Sequence, residues 1–148
     1  MTSLLDSTIP THFACDDDFA AYVENECTFL KKGSSRKVYA SKDGRFVVKR
    51  AINKKKHMIC NWIEVAAFLK FEKDRPKLGV IRSWSASGRF LVMERLDMEA
   101  RPTGSFPYPT WVSDRKPKNI GKGEDGAYRI CDYAVINVPG NAQKSDFA

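Results

Sequence analysis

The sequence lacks any apolar run near the roughly 18 residues that a membrane-spanning helix needs. Its start, Met1-Thr2-Ser3-Leu4-Leu5-Asp6, also lacks the basic and apolar regions of a secretory signal. The expectation is a soluble protein with no membrane partner, made in the cytosol, and either cytoplasmic or delivered into a host cell's cytoplasm without a cleaved signal. Histidine is scarce, with only His12 and His57. The four cysteines, Cys15, Cys27, Cys60 and Cys131, contain no C-x-x-C pair. Zinc-ligand spacing is therefore missing, and reduced thiols are expected. Internal repeats and low-complexity tracts are missing too.

The 148 residues, 43% hydrophobic and 11% aromatic, suffice for one compact domain. The net charge of +7 is unevenly placed. Eleven Lys or Arg fall between Lys31 and Lys56 against the single acid Asp43, after an acidic lead-in of Asp16, Asp17, Asp18, Glu24 and Glu26. Such a half favours anionic ligands: a nucleotide, a nucleic acid or an acidic protein surface. The run Lys54-Lys55-Lys56 reads most simply as a solvated approach to a helix, and Trp62, Trp84 and Trp111 read as core, because none alternates with basic residues.

Residues 1–12 read as a loose arm, and Asp18 to Glu26 as a short helix with acids near its start. Short apolar pieces separated by turns then predict strands at Thr28 to Lys32, Lys37 to Ser41 and Arg45 to Arg50, the last two joined by an Asp43-Gly44 hairpin signal. Met58 to Lys73, with Ile59, Trp62, Ile63, Ala66, Ala67, Leu69 and Phe71 near helical period, predicts one amphipathic helix. Leu78 to Ser85 and Arg89 to Glu94 predict a further hairpin around Ser87-Gly88. Four residues between 101 and 110, Pro102, Gly104, Pro107 and Pro109, exclude regular helix and mark a connector. Asn119 to Gly121 and Tyr128 to Cys131 predict a last small hairpin.

The chemistry is concentrated in Asp114-Arg115-Lys116-Pro117-Lys118-Asn119 and in Ile130-Cys131-Asp132-Tyr133. Singly, an Asp or Asn in a turn bonds its own backbone. Jointly, a D-x-K-P-x-N run, a hairpin and an apolar strand ending in Asp-aromatic resemble the catalytic loop and metal-binding motif of eukaryotic-type protein kinases. Asn119 follows Asp114 by five positions and Asp132 follows it by eighteen, as in that family. The resemblance extends upstream. Phe29 to Ala40, with Gly33, Ser34, Ser35 and Val38, resembles the first strand, the phosphate-covering loop and the valine under adenine, although only Gly33 of the usual G-x-G-x-x-G is present. Arg45 to Arg50 resembles the third strand, with Lys49 its phosphate-pairing lysine and Glu64 the helix glutamate that holds it. Phe90 to Asp97 resembles the fifth strand and hinge, with Met93 gating the pocket behind adenine and the Glu94 and Leu96 backbones reading its edge.

The resemblance implies an α+β fold, a five-stranded antiparallel N-lobe with one helix followed by a catalytic hairpin, with the helical C-lobe largely absent. It implies an N-terminal arm and short helix over 1–27, an ATP-binding region over 28–97, and a connector, catalytic loop, metal motif and tail over 98–148. It implies ATP and Mg2+ as cofactors, with Asp114 and Lys116 catalytic and Asn119 and Asp132 the metal ligands. Lys116 points to Ser/Thr acceptors.

The departures are also plain: Val112-Ser113 replaces His-Arg before Asp114, Ala134 replaces the final Gly, and twenty positions separate Glu94 from Asp114. After Asp132 sixteen residues remain, too few for an activation segment. Such pruning resembles the minimal kinases of bacterial effectors and viruses, whose substrate is a host protein, with a dimer or partner covering the missing lobe. Two alternatives stand beside the enzyme: a pseudokinase or decoy that binds a nucleotide or partner protein, and a nucleic-acid module, for which only the charge between Lys31 and Lys56 speaks. A decoy needs none of Lys49, Asp114, Lys116, Asn119 and Asp132 in register, which favours the enzyme.

Overall fold

In the computed structural model the described residues are 9–52 and 57–134, so the Lys54-Lys55-Lys56 run lies outside them. Helix α1 (Asp16–Glu26) carries Asp16, Asp17 and Asp18 in its first turn, where carboxylates oppose the positive end of the helix dipole. It buries Phe19, Tyr22 and Val23, one face at i, i+3, i+4 spacing. Strands β1 (Cys27–Lys32), β2 (Arg36–Ser41) and β3 (Phe46–Ala51) follow, then α2 (Met58–Lys70), β4 (Ile81–Trp84) and β5 (Phe90–Glu94). The five strands form one antiparallel sheet in the order β1-β2-β3-β5-β4. A second hairpin of β6 (Ile120–Lys122) and β7 (Tyr128–Ile130) comes after the connector. Among the described residues no α-helix follows β5. The described residues thus form the expected α+β arrangement, a five-stranded antiparallel sheet with α2 packed on it, followed by a two-stranded hairpin.

Period-two alternation divides the core. On β3 and β5, Phe46, Val48, Phe90 and Val92 face α1 and join Ile9, Phe19, Tyr22 and Val23. Leu91 and Met93 turn the other way, toward Val65 and Ala67 of α2 and toward Leu78, Ile81, Trp84, Trp111, Val112, Ile130 and Tyr133. β5 is thus apolar on both faces, as a central strand should be. Each of its four buried side chains contributes about 1.5–3 kcal/mol of burial. Trp84 and Trp111 are core residues, Trp62 is partly buried against the same cluster, and all four cysteines are free thiols.

Three expectations are corrected. The arm is not loose at its end: Ile9 is buried, His12 stacks on Trp84 with ring centroids 4.1 Å apart, and the Pro10 carbonyl accepts the Ser83 hydroxyl. The α2 helix stops at Lys70 rather than Lys73. Arg75 there donates to the carbonyls of Phe68 (2.6 Å) and Leu69 (2.9 Å), and the chain continues as a 3-10 turn, Glu72–Lys77, containing Pro76. The strand expected from Leu78 begins only at Ile81, because Leu78 and Gly79 pair instead with Ile130, the Gly79 N–H donating to its carbonyl at 2.8 Å.

Candidate active site

The register of the sheet assembles the site. Val38 of β2 pairs with Lys49 of β3, and Lys49 with Leu91 of β5, so these side chains share a face. Arg36 and Val47, two positions from Val38 and Lys49, lie on that face as well. The face is the one covered by α2, whose buried stripe is Asn61, Glu64, Val65 and Ala67. Ile59 and Leu69, expected on the apolar stripe, are instead exposed. The helix turns its polar Asn61 and Glu64 inward because their partners lie there.

Glu64 is 0% exposed and Lys49 6%. The Lys49 ammonium donates to Glu64 Oε1 at 3.0 Å and Oε2 at 3.2 Å, and also to the Cys131 carbonyl. The Tyr133 N–H donates to Glu64 Oε2 at 2.8 Å. Arg36, also 6% exposed, donates to Glu64 Oε1 at 2.7 Å, Asn61 Oδ1 at 3.0 Å and Asp132 Oδ1 at 3.1 Å. The Asn61 amide nitrogen lies 2.9–3.2 Å from the carbonyls of Lys49, Gly88 and Arg89, stitching α2 to the sheet. Two cations and two carboxylates therefore compensate each other at the base of the site, as buried charges must. Burial works to raise the pKa of Asp132, and the charges of Lys49 and then Arg36 override it and hold the carboxyl at about 2. Burial pushes up the neighbouring Cys131 thiol, which stays protonated.

The segment from Asp114 to Asn119 is ordered by its own chemistry. Lys116 is extended, as a residue before proline must be, and Pro117 opens a 3-10 turn ending at Asn119. The Asn119 side-chain amide donates to Asp114 Oδ2 at 3.2 Å, and the Lys116 ammonium stands 3.8 Å from Asp114 Oδ1 with its side chain 62% exposed. The Cys131 N–H donates to the Asn119 carbonyl at 2.7 Å, which fixes Asn119 against Asp132 across the β6–β7 hairpin. Val112 is fully buried and anchors the loop in the core beside Trp111.

Gly33, Ser34, Ser35, Val38, Lys49, Glu94, Leu96, Asp114, Lys116, Asn119 and Asp132 all line one cleft of about 1000 Å³. That volume suits a ligand of nucleotide size. Glu64 lies behind Lys49, outside the lining. Met93 is placed differently from expectation: its side chain is buried in the core against Gly79 and does not line the cleft. The Glu94 carboxylate is taken by the Val80 N–H at 2.8 Å and by Arg129, at 2.6 and 2.9 Å. The N–H groups of Glu94, Arg95 and Asp97 are bonded to other backbone carbonyls, whereas Leu96 has no such bond among the described residues, which leaves its N–H and C=O for a ligand edge. Three features escaped the sequence reading. Arg36, within the Phe29 to Ala40 stretch that resembles the phosphate-covering loop, is a buried member of the charge cluster. Asn61 was hidden in an apolar helix, and Lys118 and Lys122 add cations to the cleft wall beside Lys31 and Lys32 of the basic stretch.

Asn119 and Asp132 offer hard oxygens, the donors magnesium takes. Among the described residues no group of three or more His, Cys, Asp or Glu could hold a metal alone. The donor set therefore fits magnesium held through two side chains with phosphate and water oxygens completing its shell.

No protein-family model matches the sequence, and no curated protein matches it. Solved structures similar to the chain include a ternary complex of streptomycin, ATP and APH(2'')-IIa, at 18% identity and a TM-score of 0.41, covering 55% of this chain and 28% of that one. WbdD bound to the kinase inhibitor LY294002 is similar at 18% identity and a TM-score of 0.44, covering 83% of this chain and 38% of that one. A structure of the bifunctional kinase-methyltransferase WbdD is similar at 19% identity and 0.41, covering 76% and 33%. The chain thus spans well under half the length of each. No helix among the described residues is long and apolar enough to cross a membrane.

Proposed function

We propose that the chain is a minimal kinase that binds ATP with Mg2+ and transfers the γ-phosphate to a Ser or Thr hydroxyl of another protein. The observation that carries this reading is the meeting of the buried Lys49–Glu64 pair with Asp114, Lys116, Asn119 and Asp132 around one cleft. Leu96 offers backbone groups to the adenine edge, and Val38 and Val47 its apolar wall. Lys49 meets the α- and β-phosphates, oriented by Glu64. Asn119 and Asp132 would hold Mg2+, which when bound neutralises charge on the phosphates. The acceptor oxygen forms its bond to the γ-phosphorus as the bond to the bridging oxygen breaks. ADP leaves, and the hydroxyl proton passes to Asp114. Lys116, exposed at the cleft mouth, meets the charge on the transferred group.

The test is incubation of the pure protein with ATP and Mg2+, alone and with a cell lysate, followed by mass spectrometry for new phosphoserine and phosphothreonine. Asp114→Asn should lower labelling by 10²-fold or more, about the contribution of general base catalysis. Labelling that persists unchanged in Asp114→Asn and Asp132→Asn defeats the mechanism. Nucleotide binding without any labelling favours the decoy.

A further inference from the structure

The proposed reaction leaves one buried cation without a part. The Lys49–Glu64 pair is complete on its own, yet Arg36 enters the same cluster from the first residue of β2 and reaches across to Asp132. Asp132 Oδ1 accepts from Arg36 at 3.1 Å and from the Ala134 N–H at 3.4 Å. Oδ2 accepts no hydrogen bond from the described residues. Asp132 and Arg36 both line the cleft, the Asp132 side chain 45% exposed and the Arg36 side chain 7%. The carboxylate thus has an inner oxygen committed to the protein and an outer one available to a ligand.

A second divalent ion taking the inner oxygen of this carboxylate would have to displace a guanidinium that also holds Glu64 and Asn61. We propose that Arg36 stands in for a second divalent ion, so that nucleotide enters this site with one metal ion, held by the outer oxygen of Asp132 and by Asn119. The charges agree with this assignment. Lys49 and Arg36 balance Glu64 and Asp132 before any ligand arrives, and Lys116 and Lys118 in the cleft wall remain for phosphate charge that one ion does not neutralise. Arg36 is a positioning residue here. It touches the metal-binding carboxylate rather than the reacting atoms.

The inference rests on the nucleotide reading above, and the test separates the two. The full chain is titrated with Mn2+ at saturating β,γ-imido ATP, with free Mn2+ counted by electron paramagnetic resonance and analogue binding followed independently by calorimetry. The expected result is one Mn2+ per chain in the wild type. In Arg36→Gln both oxygens of Asp132 become available, and a second Mn2+ should bind. Arg36→Lys, which keeps a cation, should return the count to one. Two ions on the wild type with analogue bound overturn the inference and leave the nucleotide reading standing, as does an Arg36→Gln protein that still takes one ion with unchanged affinity. Absence of analogue binding overturns both. Should Arg36→Gln fail to fold, the wild-type count alone decides.

Discussion

Replacing Glu64 by Gln keeps the shape of the side chain and deletes one charge, at a position where two cations converge in the absence of water. The carboxylate accepts from Lys49 at 3.0 and 3.2 Å, from Arg36 at 2.7 and 3.4 Å and from the Tyr133 N–H at 2.8 Å, and it is 0% exposed. An amide has one oxygen, so its N–H2 must confront one of those donors. Breaking a buried pair by removing one partner costs about 3–5 kcal/mol. The lower end applies, since Arg36 keeps Asp132 and Lys49 keeps the Cys131 carbonyl. About 3 kcal/mol is a large share of the roughly 5–15 kcal/mol that holds a domain together. With a urea slope of about 2 kcal/mol/M, the unfolding midpoint should fall by about 1.5 M. The assay is equilibrium urea unfolding followed by tryptophan fluorescence, run as a cycle with Lys49→Met. Removing the cation as well should recover about 1 kcal/mol or more, because contacting charges are coupled. A midpoint shift under about 0.3 M, or strictly additive single effects, would refute the claim that this carboxylate is a dry counter-ion.

Asp132 should leave a mark on acid stability. Its folded pKa of about 2 lies below the usual 3.8, so the stability it contributes is present above pH 4 and lost as pH falls toward 2; melting curves of Asp132→Asn should be flatter over that window, and equal steepness would count against the assignment. Arg129→Ala removes a guanidinium that grips Glu94 at 2.6 and 2.9 Å and Asp125 at 2.9 and 3.0 Å, and should cost about 3 kcal/mol. Amide hydrogen exchange should then rise first in Ile120–Lys122 and Tyr128–Ile130, and a rise confined to other strands would show that Arg129 does not clamp the hairpin.

The parts of the site legible in the sequence are those carried by local period. Alternation along β3 puts Lys49 on a defined face, helical spacing puts Glu64 inside α2, and the D-x-K-P-x-N run with its hairpin brings Asn119 to Asp132 through contacts close in sequence. What stayed hidden depends on distant pairings. Arg36 lies 28 residues from Glu64 and 96 from Asp132, and a basic residue beside Gly33-Ser34-Ser35 reads naturally as a phosphate ligand until the sheet register is known. Met93 sits in a strand apolar on both sides, where no period tells which side chain reaches the cleft. Arg129 looks like an ordinary charge in a three-residue strand, because Glu94, its partner, is 35 positions away.

The hairpin flanked by Asn119 and Asp132 has no α-helix after it among the described residues, and the seam with the sheet supplies the support. Asp97 and Lys122 exchange backbone hydrogen bonds at 2.8 and 3.0 Å, and the Tyr133 hydroxyl donates to the Gly79 carbonyl at 2.9 Å. At Gly121 a Cβ would fall 2.6 Å from the Met98 sulfur and 2.7 Å from the Leu96 Cβ, so only glycine lets the hairpin lie this close to the hinge. These three hydrogen bonds and the Gly79–Ile130 bond contribute about 1 kcal/mol each. Burial of Ile120, Ile130 and Tyr133 adds about 1.5–3 kcal/mol for each side chain. Leu96, Lys49, Asn119 and Asp132 therefore belong to one packed unit, so the residues of the proposed nucleotide site are held by the sheet itself.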